Sequence, residues 1–279
     1  MGTDAPRPPP GGPGGRLRRQ PAPSPAEARC AMIIDCHTHW GMVWEDRDHE
    51  DPARWLAMLD HHHVNRAFLL GHYNLHRSDQ CEADNDRLAR ITAKAPDRFI
   101  PFGTVWPQKG EDAVKEARRC LQVLGLKGLK FHPWLQGFST ADPTMSEIYD
   151  MAGALNAPVF FHDGTPCYSL PEQIAGLARR FPRTRFVLGH AGLLWSWRSA
   201  LEALRRPNVW ACLCGPHMRA IEVLCQRADP DRLLWGTDFG FGFADAIDYR
   251  LNLINRAKID DALREKILGV NPLRLMERS

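Results

Sequence analysis

The chain has 279 residues, of which 44% are hydrophobic and 25% are charged, so it is long enough to bury a large core. Its formal charge of +3 comes from residues 1–29, which contain five arginines and two acidic residues. The other 250 residues carry 31 basic and 31 acidic side chains. That balance leaves no basic face for nucleic acid, and no apolar run approaches the roughly 18–20 residues that span a bilayer.

The first segment of the chain is rich in proline and glycine. Residues 1–25 contain eight prolines and five glycines and almost no side chains that could pack in a core. Because such a segment cannot offset the entropy lost on ordering, we predict a disordered tail over 1–31, or translation that begins at Met32. The folded domain is then expected to span 32–279.

From residue 32 onward, short apolar runs alternate with amphipathic stretches. The runs begin 22 to 35 residues apart, which is the length of a βα repeat, and they cover 32–39, 64–70, 99–105, 125–131, 158–162, 186–190, 208–213 and 233–237. Helices are predicted between them, among others at Pro52–His61, Asp112–Leu124, Thr144–Asn156, Pro171–Phe181 and Met218–Arg227. Continuously apolar runs are typical of buried parallel strands, so we predict an α/β fold with a single (β/α)8 TIM barrel. The alternative, an open doubly wound sheet, lacks its GxGxxG motif after the first strand.

The eight cysteines show neither a CxxC pair nor a zinc-ribbon spacing. Several of them lie inside apolar runs, where a reduced thiol behaves as a small hydrophobic group. We therefore expect a reducing, cytoplasmic location. Cys212 and Cys214 can share one face of the seventh strand, and we expect both to pack in the core.

Residues that can bind metals or transfer protons follow the predicted strands where these end. The strand ends read Asp35-Cys-His37-Thr-His39, Lys130-Phe-His132, His162-Asp163, Gly-His190 and Gly-Thr-Asp238. In a parallel barrel all these ends meet on one face, where barrel enzymes have their active sites. His37 and His39 lie two residues apart on an extended strand, so both face the same way and can share one metal ion.

These motifs resemble the amidohydrolase superfamily, and most closely the amidohydrolase-related branch that includes aminocarboxymuconate-semialdehyde decarboxylase and aromatic-acid decarboxylases. The resemblance spans about 32–275. It implies one divalent metal ion, which we predict to be zinc, held by His37, His39, His162 and Asp238. Asp238 would also transfer protons, and His190 would orient the metal-bound water or polarise the substrate.

Lys130 and His132 share one face of the fourth strand. In binuclear branches of the superfamily a carboxylated lysine at this strand bridges two metals, and Lys130 is the candidate for that role here. We favour a different role, in which one of the pair binds a substrate carboxylate or supports the metal ligands; a lysine bonded only to backbone is a further alternative. Trp40 and His72 follow strand ends and are candidates for the substrate pocket.

Two activities fit these residues. We predict a hydrolase that cleaves a C–N, ester or lactone bond of a small organic-acid-like substrate through metal-activated water. The alternative is a non-oxidative decarboxylase that uses the same metal site. A barrel kept only as a binding module is disfavoured, because the set of polar ligand residues is complete. We expect a small-molecule substrate, neither a nucleic acid nor a membrane as partner, and allow for a homodimer.

Overall fold

The computed structural model describes residues 32–40, 52–71, 77–238 and 246–277. The predicted tail over 1–31 and the pocket candidate His72 lie outside these ranges, as does the side chain of Trp40, whose backbone ends the first strand. Eight parallel strands follow one another in sequence order around one sheet. They are β1 (Ile34–Trp40), β2 (Arg66–Gly71), β3 (Phe99–Gly103), β4 (Gly128–Phe131), β5 (Val159–Phe161), β6 (Phe186–Leu188), β7 (Val209–Cys212) and β8 (Leu233–Leu234).

The last strand returns to the first. The backbone N–H of Cys36 donates to the carbonyl oxygen of Trp235 at 3.0 Å, and the N–H of Asp238 donates to that of His37 at 2.7 Å. These bonds join β1 to the segment that follows β8 and bring the two edges of the sheet together. The structure therefore confirms the barrel and rejects the open sheet.

Helices connect the strands, as expected for βα repeats. They are α1 (Ala53–His61), α2 (Cys81–Thr92), α3 (Glu111–Gln122), α4 (Pro133–Gln136), α5 (Met145–Ala154), α6 (Pro171–Arg180), α7 (Trp197–Ala203), α8 (Met218–Arg227), α9 (Ala246–Arg256), α10 (Asp261–Glu265) and α11 (Asn271–Met276). The five predicted helices are confirmed to within two residues at each end. Among the described residues, none of the helices combines the length and the apolarity that crossing a membrane requires.

The barrel separates two hydrophobic clusters, because alternate strand residues face opposite sides of a sheet. In β5, Phe160 packs inside the barrel, whereas Val159 and Phe161 pack against the helices. Leu275 of α11 joins the interior cluster, and Arg185, just before β6, donates to its carbonyl oxygen at 2.7 Å. Helix α11 thus lies at the amino end of the strands, and the predicted site residues lie at the other end.

Candidate active site and metal centre

Three of the predicted metal ligands converge at the carboxyl end of the barrel. The Asp238 Oδ1 atom lies 2.9 Å from His39 Nε2 and 3.3 Å from His37 Nε2. Two ligands that each lie about 2.1 Å from one ion are separated by roughly 3.0–3.4 Å, so this spacing fits a shared metal. Imidazole nitrogens with a carboxylate oxygen form a donor set that suits zinc or manganese.

The backbone geometry explains how the sequence brings these groups together. Gly236 precedes Asp238 by two residues, and a side chain at Gly236 would come within 2.8 Å of the Cβ atom of His37. The absence of that side chain lets the end of β8 approach β1 closely. The rings of His37 and His39 are buried, whereas the Asp238 side chain is 31% exposed. The carboxylate therefore lies where both the buried histidines and a bound substrate can reach it.

The charges in this group differ from those of the same side chains in water. Burial acts to raise the pKa of the Asp238 carboxyl, but the adjoining histidines outweigh it and hold that pKa well below its usual range. Burial lowers the pKa of His37 well below its ordinary value, and that of His39 is lowered for the same reason. Burial thus disfavours the protonated form of both rings, and a metal ligand requires an unprotonated imidazole nitrogen.

His162 has different neighbours from the other three predicted ligands. Its Nδ1 atom lies 2.8 Å from His190 Nε2, and its ring stacks on that of His132 at 3.8 Å between centroids. Within the described residues, the donor atoms of His37, His39 and Asp238 lie within 4.8 Å of one another, and His162 is outside that group. Its part in metal binding therefore stays a prediction.

His190 lies between His37, which belongs to the candidate metal centre, and His162. Its ring centroid is 4.6 Å from that of His37 and 4.4 Å from that of His162. Its backbone N–H donates to Asp163 Oδ1 at 2.6 Å, and the side chain is buried. The structure thus places His190 next to the candidate metal centre, where the sequence analysis expected it, while its catalytic role remains untested.

Lys130 and His132 both contact a predicted metal ligand. The Lys130 amine is fully buried and lies 3.2 Å from His37 Nε2, and burial lowers its pKa to about 8. The amine also lies 5.0 Å from the centre of the Phe160 ring. His132 is buried beside His162. From these positions Lys130 and His132 can support the metal ligands or contact a substrate.

Two buried carboxylates hold the backbone around the site. Asp35 accepts from the N–H groups of His37 and Thr237, each at 3.0 Å, and from the Thr237 hydroxyl at 2.6 Å. Asp163 accepts from the N–H groups of His190 and Gly192 at 2.6 and 2.7 Å. From the sequence, Asp35 could support the metal site or lie at the bottom of the barrel, and its bonds to His37 and Thr237 favour the first. For Asp163 the available sequence signal was its place directly after a strand-end histidine.

The structure confirms that Cys214 packs in the core and adds polar contacts to that role. We predicted that its thiol packs in the core, and the residue is indeed 1% exposed and belongs to the interior cluster. Its sulfur, however, lies 3.3 Å from His190 Nδ1, 3.4 Å from His37 Nδ1 and 3.0 Å from the Gly189 carbonyl oxygen. An apolar run conceals such contacts, because a cysteine beside imidazole and one beside leucine look alike in sequence.

Aromatic side chains surround the open end of the barrel. Trp134 is 43% exposed with its ring 5.3 Å from that of His132, and Tyr168 and Trp195 are also exposed. Each follows a different strand, β4, β5 or β6. Side chains that follow barrel strands line the substrate pockets of barrel enzymes, so these three rings join the pocket candidates.

Fold and site together define a (β/α)8-barrel enzyme with a candidate metal centre at the carboxyl ends of its strands. The model of the Amidohydrolase family (Amidohydro_2) matches residues 34–278, so the chain belongs to that family. This confirms the resemblance inferred from the strand-end motifs.

Similar proteins narrow the class further. The chain is 23% identical over 233 residues to 2-amino-3-carboxymuconate-6-semialdehyde decarboxylase of Dictyostelium discoideum, covering 69% of this chain and 65% of that protein. It is 26% identical over 247 residues to gamma-resorcylate decarboxylase of Rhizobium sp. (strain MTP-10005), covering 69% and 74%. The structure of a dihydroxybenzoic acid decarboxylase from Polaromonas sp. JS666, with bound manganese and the inhibitor 2-nitroresorcinol, superposes with a TM-score of 0.69 at 17% identity, covering 88% and 96%.

These comparisons bear on two expectations. Both relatives found by sequence are named as decarboxylases, which favours the carboxy-lyase alternative; the hydrolase that we predicted is not supported. A divalent metal agrees with the donor group and with the manganese-bound structure, whereas zinc is not confirmed.

Proposed function

We propose that this enzyme is a non-oxidative decarboxylase of small aromatic or enoic carboxylic acids. The observation that carries the proposal is the meeting of His37, His39 and Asp238 at the barrel mouth in a chain whose similar proteins are named as decarboxylases. Trp134 and Tyr168 at the same end offer flat apolar surfaces that suit a planar acid.

The metal-binding residues in this proposal are His37, His39, Asp238 and His162. A divalent ion held by these residues would supply Lewis acidity toward an anionic substrate oxygen. The donor set suits manganese, as in the similar structure, as well as the zinc that we predicted. The buried, neutral state of the histidines supports this assignment, because a protonated ring cannot bind a metal.

The reaction needs one proton at the carbon that bears the carboxylate. That proton adds to the carbon, the bond to the carboxylate breaks, and its electron pair stays on the ring or double bond as carbon dioxide leaves. We assign delivery of the proton to Asp238 or His190: the first is partly exposed beside the ligand histidines, and the second is 4.6 Å from His37 between ring centroids. Because the Asp238 side chain is in contact with solvent, it can exchange a proton with water and pass it on.

The test separates loss of carbon dioxide from uptake of water. The purified full chain, with its metal content measured, is incubated in D2O with panels of aromatic acids, enoic acids, lactones and amides. We expect release of carbon dioxide and a single deuterium at the carbon that had carried the carboxylate. Cleavage of a lactone or amide without carbon dioxide would overturn the proposal and restore the hydrolase.

A further inference from the structure

A thiol, a carbonyl oxygen and two histidine rings meet at the Nδ1 side of His37. The sulfur of Cys214 contacts the Gly189 oxygen at 3.0 Å, His190 Nδ1 at 3.3 Å and His37 Nδ1 at 3.4 Å. The residue is 1% exposed, so water does not compete for these contacts. None of the roles in the proposed reaction uses the thiol.

The positions of the hydrogens in this group follow from counting donors and acceptors. The Gly189 carbonyl can only accept, so His37 Nδ1, 2.8 Å away, carries a hydrogen, and His37 Nε2 carries a lone pair. A carbonyl oxygen accepts and never donates, so the 3.0 Å contact with Gly189 requires the Cys214 sulfur to carry its hydrogen. The Gly189 oxygen has a second lone pair to accept that hydrogen, beside the one that accepts from His37.

The sulfur then serves as the acceptor for His190. With its hydrogen donated to Gly189, Cys214 accepts from His190 Nδ1. An imidazole with one hydrogen that donates from Nδ1 has a lone pair on Nε2. His162 Nδ1 lies 2.8 Å from that lone pair and therefore donates to it. His162 is consequently unprotonated at Nε2, the nitrogen available for a metal.

We propose that Cys214 is a positioning residue, which fixes His190 and through it His162 in the tautomers that metal binding requires. In this arrangement the Gly189 carbonyl accepts from His37 Nδ1 and from the Cys214 thiol, and Nε2 of both His37 and His162 carries a lone pair. The inference takes its ligand set from the proposed function. The tautomers themselves are properties of the metal-free protein and can be measured without any substrate.

The first experiment uses the wild-type chain. Two-bond 1H–15N correlation spectra of the 15N-labelled, metal-free protein distinguish hydrogen on Nδ1 from hydrogen on Nε2, with signals assigned by single histidine substitutions. We expect Nδ1–H on His37, His162 and His190. A hydrogen on Nε2 of His190 would overturn the proposal, and this readout does not depend on whether any variant folds.

The second experiment compares three variants by their affinity for Mn2+, followed through the electron spin resonance signal of the free ion. Cys214→Ala removes the acceptor and is expected to weaken affinity by about 10–100-fold, the usual loss for a group that orients a metal ligand. Cys214→Ser keeps a donor and an acceptor and should recover most of that loss. Cys212→Ala is the matched control, a buried thiol that contacts Cys214, and should bind like wild type.

Equal Mn2+ affinity in Cys214→Ala and wild type would refute the positioning role. An equal loss in the Cys212→Ala control would also refute it, because the effect would then come from general disturbance of the barrel interior. If no acid releases carbon dioxide while the tautomers and affinities follow expectation, the proposed function fails and the role of Cys214 stands.

Discussion

Asp238 adopts a backbone conformation that few residues tolerate. Its φ of 63° lies in the left-handed region, where aspartate, asparagine and glycine are the residues most often found. Its N–H donates to the His37 carbonyl oxygen at 2.7 Å, so the turn is tied to β1. A single residue thereby ends β8, helps to close the barrel and offers its carboxylate to His37 and His39.

Asp238→Asn separates the proton-transfer role from the structural one. Asparagine accepts the same left-handed backbone and keeps one oxygen as a ligand, but it does not shuttle protons. We expect turnover to fall by about 10²–10⁴-fold with the metal largely retained. Steady-state kinetics and metal analysis of the same preparation are the measurements. Activity within about tenfold of wild type, roughly 1.4 kcal/mol of barrier, would transfer the role to His190.

His37→Ala combined with His39→Ala tests the metal ligands directly. Wild type should carry about one equivalent of a divalent ion, and the double variant should carry almost none while retaining the barrel, since two of the ligands are lost. Metal is measured by mass spectrometry, and folding by circular dichroism. His61→Ala with His63→Ala, at two exposed positions around the end of α1, is the control and should keep the ion. Full metal occupancy in the His37 and His39 variant contradicts the assignment, and two ions per wild-type chain would revive a bridging role for Lys130.

At the scale of elements, the loop after β6 has three consecutive residues in the left-handed region of backbone conformation. Ala191, Gly192 and Leu193 all have positive φ, at 44°, 85° and 56°. Left-handed conformations cost free energy for residues with a Cβ atom, so surrounding contacts must hold them. Asp163, from the end of β5, supplies those contacts by accepting from the N–H groups at both sides of Ala191. The loop after one strand thus depends on the carboxylate after its neighbour.

Asp163→Ala should loosen this loop and displace His190. Two buried N–H groups lose their acceptor, at about 1–3 kcal/mol for each unsatisfied group, so the free energy of unfolding should fall measurably. Turnover should fall as well, because His190 begins the loop. Denaturant unfolding and kinetics test both effects, with Asp150→Ala, at an exposed position of α5, as a control that should stay within about 0.5 kcal/mol of wild type. An unchanged free energy of unfolding in Asp163→Ala would show that the loop keeps its conformation without the Asp163 hydrogen bonds.

At the scale of the whole molecule, the barrel buries several histidine rings. Burial lowers the pKa of four of them below the ordinary value, namely His37, His39, His132 and His162. Unfolding lets these rings take up protons below about pH 6.5, so stability is lost as the pH falls through that value. Burial also raises the pKa of Asp35 and Asp163 to about 7, which opposes this trend because the native state then binds those protons.

The unfolded chain takes up protons on four histidines in this range, whereas the native chain holds extra protons on only two carboxyls. The metal-free chain should therefore lose stability as the pH falls from about 6.5 to about 5. Denaturant midpoints across this range are the measurement. His132→Gln removes one of the four groups and should make the decline shallower, whereas His61→Gln, at an exposed position, should leave the slope unchanged. A stability that is constant or rises toward pH 5 would contradict the burial of neutral rings.

The tail gives a prediction about the chain as a whole. A chain that begins at Met32 should unfold at the same temperature as the full chain and match its turnover, because residues 1–31 offer almost no apolar surface to pack. Differential scanning calorimetry of both chains tests this expectation. A clear drop in the midpoint on truncation would mean that the tail packs against the barrel.

The sequence by itself determined the barrel and the position of its site. Apolar runs at βα spacing and polar residues at their ends are local patterns, and parallel closure places all such ends on one face. The residues at the ends of β1 and β8 could therefore be assigned to one metal centre before the structure, and the structure brings His37, His39 and Asp238 together. The strands proved shorter than the apolar runs, because at β6 and β8 the runs continue beyond the sheet into the loops of the site.

Only the tertiary structure decided which side chains orient the ligands. Cys214 is 177 residues from His37 in sequence, and Asp163 is 27 residues from His190. A run of apolar residues reports burial but not neighbours, so it cannot tell a thiol that packs from one that accepts a hydrogen bond. The pairing of His162 with His190, and not with the group around Asp238, likewise depends on ring orientation. Side-chain rotation about Cα–Cβ is settled by packing across several strands, and no local pattern records it.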